Sequence, residues 1–178
     1  VAVTDVQTGT LRTYHNPQGT AFQPIQDTAA FGGCTAGASV APEEVAAVAK
    51  RAAADVAAVA TSPCLAGATN LCLSGNRFRV DVTWKTPDGR TGAGQAVALT
   101  PDTGYFWFFA SSNVEMVVKV LNACTLNQRF WVYAGGLTNV QVTVTVTDTM
   151  TGTTKTYNNP QGTAFRPVQD TSAFATCP

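Results

Sequence analysis

The sequence predicts a mainly β protein: an antiparallel β-sandwich, Ig-like in general architecture, with one Ala-rich helix and an extra N-terminal β-hairpin segment. Three observations point there. From Arg77 onward, short runs alternate apolar and polar residues with period two, the pattern of strands that are wet on one face and dry on the other. Turn formers such as Pro87-Asp88-Gly89 and Pro101-Asp102-Thr103-Gly104 separate these runs at close spacing, which cuts the chain into hairpin-sized pieces. The chain also repeats itself. Residues 1–35 and 144–178 align without a gap at an offset of 143, and 23 of the 35 pairs are identical.

In the second copy, Val140, Val142, Val144 and Val146 alternate with Gln141, Thr143, Thr145 and Thr147, so a half-buried strand is expected with its valines inward. The first copy keeps only Val1 and Val3 of that row, as if a module were entered partway along a strand. Each copy continues through Asp-x-x-Thr-Gly-Thr, residues 5–10 and 148–153, a turn signal, and returns along a strand ending at Tyr14 or Tyr157. Asn-Pro-Gln-Gly-Thr-Ala-Phe then forms an irregular loop. Phe22, Ile25 and Phe31, matched by Phe165, Val168 and Phe174, are expected to pin it to the sandwich as a lid. A ligand loop is the other reading.

Residues 36–41 read as a linker. Pro42-Glu43-Glu44 opens a helix, with proline suited to its first turn and the acids to its positive end. Ten alanines lie between positions 41 and 60, and Val45, Val48, Val56 and Val59 share one face, which suits docking on a sheet or spacing two modules. Residues 61–75 are expected to be a loop. Strands follow over 77–85, 95–99, 105–109, 114–121, 129–133 and 140–147, for seven or eight in all. Residues 105–109 are five consecutive aromatics, so both faces of that strand are expected to be covered. The domains are therefore a partial module over 1–35, a linker and helix over 36–62, and the sandwich module over 63–178.

Hydrophobic residues make up 45% of the chain and charged ones 12%, the latter about half the usual share. Eleven basic and eleven acidic residues balance, which removes the electrostatic footprint that nucleic acids and anionic membranes require. A weakly charged surface favours an assembled or cell-surface setting. No apolar run is long enough to span a bilayer as a helix. The Val-Ala-Val start, with no targeting segment, reads as a processed product or a fragment.

The run GNRFRVDVTWKTPDGRTGAGQAVALTPDTGYFWFF, followed by NVEMVVKVL and RFWVYAGGLTNVQVTVTVTDTMTG, resembles a β-sandwich module of bacterial secreted proteins. The resemblance covers about residues 72–178. Such modules are often C-terminal and carry no assigned activity, so the resemblance implies an extracellular accessory or structural role and supplies no catalytic residue. The partial first copy departs from a single-module pattern and fits a tandem or polymeric arrangement.

The five cysteines show no metal-type spacing and point to an oxidising compartment. Cys34 is the counterpart of Cys177, so one full module owns Cys64, Cys72, Cys124 and Cys177. Of the three pairings four cysteines allow, the expected one closes a short loop with Cys64–Cys72 and ties the tail to a central strand with Cys124–Cys177. Cys34 is then the odd one out. It is free, bonded to another chain as an intermodule link, or bonded to an upstream module.

Little here is suited to catalysis. The only histidine, His15, is replaced by Asn158 in the second copy, and the recurring Asp5, Asp27, Asp148 and Asp170 read as turn formers. No zinc, calcium or phosphate motif is present. The expected protein is neither an enzyme nor a cofactor carrier. Two binding roles are open. Tyr105, Trp107, Trp131 and Tyr133 are expected to fill the core, and as an alternative would contact a sugar ring in a carbohydrate-binding accessory module. Val1, Val3, Tyr14, Phe22, Ile25 and Phe31 form an assembly segment that strand addition would lend to a neighbouring module. The partners are then copies of itself in a filament, or adjacent modules of a tandem array, at the cell surface or outside the cell.

Overall fold

The computed structural model describes residues 1–32 and 62–178. The Ala-rich helix expected over 42–60 and Cys34 lie outside the described residues. Residues 1–15 and 27–32 belong to one compact unit, and residues 16–26 and 62–178 to another.

In the first unit, β1 (Ala2–Thr4) and β2 (Leu11–Thr13) form an antiparallel hairpin with Val3 opposite Arg12. Its turn closes where the Asp5 carbonyl accepts the Gly9 amide at 2.8 Å. Gly9 sits at φ +71°, a left-handed conformation that costs glycine nothing and an L side chain more.

The second unit is the sandwich. One sheet orders β11 (Thr154–Asn159), β10 (Gln141–Asp148), β4 (Phe78–Lys85) and β3 (Asn70–Leu73), with β5 (Thr91–Ala93) also paired to β4. The other orders β12 (Val168–Phe174), β9 (Arg129–Gly136), β8 (Met116–Ala123), β7 (Thr103–Trp107) and β6 (Gln95–Thr100). All pairings are antiparallel. The period-two pattern does what it implies. Phe78, Val80 and Val82 from β4, Val142, Val144 and Val146 from β10, and Val118, Val120, Phe130 and Val132 from the opposite sheet make one buried core. Phe78 meets Phe130 across it with ring centroids 4.8 Å apart.

Three expectations change. Residues 61–75 are not wholly loop, because Leu71 and Leu73 alternate into the core as β3. The expected lid after residue 167 is a strand, β12, paired to β9 and bulged between Asp170 and Phe174. With β5 counted too, the sandwich has ten strands among the described residues. The described helix is one turn, α1 (Cys124–Asn127), ended by Gln128 in the left-handed region. Among the described residues, no helix is long and apolar enough to cross a membrane.

Candidate functional site

The repeat provides the site: the element formed by residues 144–175 and the surface that seats it. Its strand β10 pairs with β4 over eight residues, from Gln141 opposite Lys85 to Asp148 opposite Phe78. At the end of that ladder Asp148 is fully buried. The Arg77 guanidinium donates to both carboxylate oxygens, Nε to Oδ1 at 3.0 Å and Nη2 to Oδ2 at 2.8 Å, and also to the Thr176 carbonyl. The same guanidinium lies over the Phe130 ring at 4.5 Å. Burial pushes the Asp148 carboxyl up, but the Arg77 bonds and the Met150 amide outweigh it and hold the carboxyl below its ordinary value.

Beyond β11 the loop is fastened by backbone bonds. The Gly162 amide donates to the Asn139 carbonyl at 2.8 Å and the Phe165 amide to the Thr138 carbonyl at 3.2 Å. Phe165 then packs on Gly136, where a Cβ would lie 2.5 Å from the ring. The chain runs on as β12 along β9, and Phe174 meets Phe78 with centroids 5.0 Å apart. Cys124 is bonded to Cys177, closing the end of the element onto α1. Cys64 is bonded to Cys72 at the β3 end.

Residues 1–32 have the same internal construction. Ala2, Val3 and Thr4 stand opposite Thr13, Arg12 and Leu11, as Thr145, Val146 and Thr147 stand opposite Thr156, Lys155 and Thr154. Tyr14 donates its hydroxyl to Asp27 at 2.8 Å, and Tyr157 does so to Asp170 at 2.9 Å. The Asn16 amide donates to the Pro17 and Thr20 carbonyls, and Asn159 to those of Pro160 and Thr163.

Burial separates the copies. In residues 144–175 seven side chains are buried: Val144, Val146, Asp148, Asn159, Phe165, Ala173 and Phe174. Their counterparts Val1, Val3, Asp5, Asn16, Phe22, Ala30 and Phe31 are all identical in type, and none is buried. Every difference between the copies falls on a position that the second copy leaves partly or fully exposed. Val1 is 69% exposed, Phe22 46% and Ile25 44%. Asp5 accepts the Thr8 hydroxyl at 2.7 Å on Oδ2, the oxygen that takes Arg77 Nη2 in Asp148. Hydrogen bonds from that hydroxyl and the Gln7 amide lower its carboxyl.

No protein-family model, curated protein or solved structure matches this chain.

The aromatic candidates do not fill the core. Phe106, Phe108, Phe130 and Val132 point inward and are buried, whereas Tyr105, Trp107, Trp131 and Tyr133 alternate outward and are partly exposed. The run at 105–109 is thus covered on one face only, and Phe109 is 47% exposed. Trp131 and Tyr133 lie at 69° to each other with centroids 6.3 Å apart. Lys119 Nζ sits 5.1 Å from the Tyr133 ring. Phe22, in the loop that groups with the sandwich, borders a hollow of about 280 Å³ with Val117, Tyr133, Pro167 and Val168. Among the described residues, no cluster of His, Cys, Asp or Glu could hold a metal ion.

Proposed function

We propose that this chain is a stretch of a tandem array of extracellular, non-enzymatic β-sandwich modules with a structural or adhesive role. Each module closes on its own C-terminal element, and residues 1–32 are the closing element of the module before. The reading rests on one observation: all seven residue types that residues 144–175 bury recur in residues 1–32. Such identity serves a segment that is seated. Two disulfides fit an oxidising compartment, and the resemblance to modules of bacterial secreted proteins points the same way.

An array is favoured over a filament in which intact chains lend this segment to one another. In each chain the seat is filled by residues 144–175 of that same chain, which pair with β4 from Val144 opposite Val82 to Asp148 opposite Phe78. A lent segment would compete against an element tethered at an effective concentration of roughly millimolar. Electron microscopy of the purified chain checks this. Dispersed particles are expected, and fibres with a regular axial repeat would favour lending between intact chains.

A second reading, the carbohydrate-binding accessory module, draws on the outward placement of Tyr105, Trp107, Trp131 and Tyr133. The steep angle between Trp131 and Tyr133 gives no flat platform for a sugar ring. Binding on a glycan array that disappears in Trp131→Ala would favour this reading, and silence would count against it.

A further inference from the structure

The seat and the unseated copy can be matched residue by residue. We propose that the seat between β4 and β9, once vacated, accepts residues 1–32 of a second copy of this chain in place of residues 144–175. The inference rests on the modular reading above and goes one step beyond it: closing elements are exchangeable between copies.

Val1 and Val3 would take the core positions of Val144 and Val146, opposite Val82 and Val80. Asp5 would exchange its Thr8 bond for the Arg77 fork that now holds Asp148. The Gly19 and Phe22 amides would meet the Asn139 and Thr138 carbonyls that now accept from Gly162 and Phe165, and the Phe22 ring would fit over Gly136. Phe31 would replace Phe174 against Phe78. The hairpin register and the Tyr14–Asp27 bond already match the seated form, so the hairpin docks without a change of register, while residues 25–31 would take up the strand that 168–174 form on β9. Such preorganisation lowers the cost of ordering on binding. The match is not complete: Val6 cannot reproduce the bond from the Thr149 hydroxyl to the Arg77 carbonyl.

The test uses the full chain. Val144→Asp with Val146→Asp places two charges in the core and vacates the seat. A fourfold variant adds Val1→Asp and Val3→Asp. Amide exchange at Arg79 and Asp81, the β4 residues whose backbone faces β10, reports whether that edge of β4 is covered, and sedimentation over a concentration series reports association. Expected are slow exchange and concentration-dependent association in the double variant, with loss of both in the fourfold variant. Exchange equally fast in both variants at every concentration would overturn the proposal and leave the array reading standing. Slow exchange in a double variant that stays monomeric would overturn exchange between copies. Wild-type protection in both variants as monomers would sink the modular reading as well, since β10 would then not be needed to close the sandwich.

Discussion

Residues 1–32 and 144–175 give two copies of one element in different surroundings, and the comparison separates what a sequence does locally from what burial adds. Hairpin register, Asp–Gly turn, Tyr–Asp bond and Asn-bridged loop are the same in both. These features depend on side-chain-to-backbone bonds within a few residues and on glycines such as Gly9 and Gly152, both at positive φ. What differs is everything that needs a partner sheet. The paired tyrosines show it in one group. Burial leads in raising the Tyr157 hydroxyl's pKa, followed by its bond to Asp170. For Tyr14 the bond to Asp27 leads.

The widest gap between the copies is expected at the aspartates. Asp148→Asn leaves the Arg77 guanidinium partly buried without a counter-charge, a loss of about 3–5 kcal/mol. Asp5→Asn should leave the denaturation midpoint close to that of the wild type. Urea denaturation of both variants measures the difference. The same carboxyl sets an acid limit. Because its folded pKa is depressed, its contribution is complete above the unfolded value of about 3.9 and is lost as pH falls through the folded value. Wild-type stability should therefore drop below roughly pH 4 more steeply than that of Asp148→Asn.

Removing the Cys124–Cys177 bond, which spans 53 residues, with paired alanine substitutions should cost about 2–4 kcal/mol. Equal stability of the oxidised wild type and this variant would mean that the tail holds without its lock. Gly136→Ala should cost about 1–3 kcal/mol by overpacking against Phe165, and amide exchange should speed up first in β12. The smallest effect belongs to the tyrosines: Tyr157→Phe should cost about 1 kcal/mol and Tyr14→Phe less, read from the same denaturation curves.

Much of the fold was legible because its signals are local. Alternation marked β4 and β10, and Pro-Asp-Gly marked the turn after β4. β12 was hidden because Asp170, Thr171 and Ser172 are turn formers by type, yet the bulge between Asp170 and Phe174 accommodates them in an edge strand. The outward aromatics were misread because five apolar residues in a row carry no alternation to show which face is wet. The seat was legible in half. The repeat marked one side of it, but the Arg77–Asp148 pair joins residues 71 positions apart, and a recurring aspartate signalled only a turn. Which identities mattered emerged only when burial was laid over the repeat.

The central claim is that residues 1–32 are a closing element whose seat belongs to the module before. The most direct measurement is residue-resolved amide exchange on this chain and on one extended at its N-terminus by a copy of residues 36–143. In the chain itself, the amides of β10 and β11 should exchange slowly and those of β1 and β2 fast. In the extended chain, β1 and β2 should become as protected as β10 and β11. Fast exchange in β1 and β2 with the added frame in place would contradict the claim.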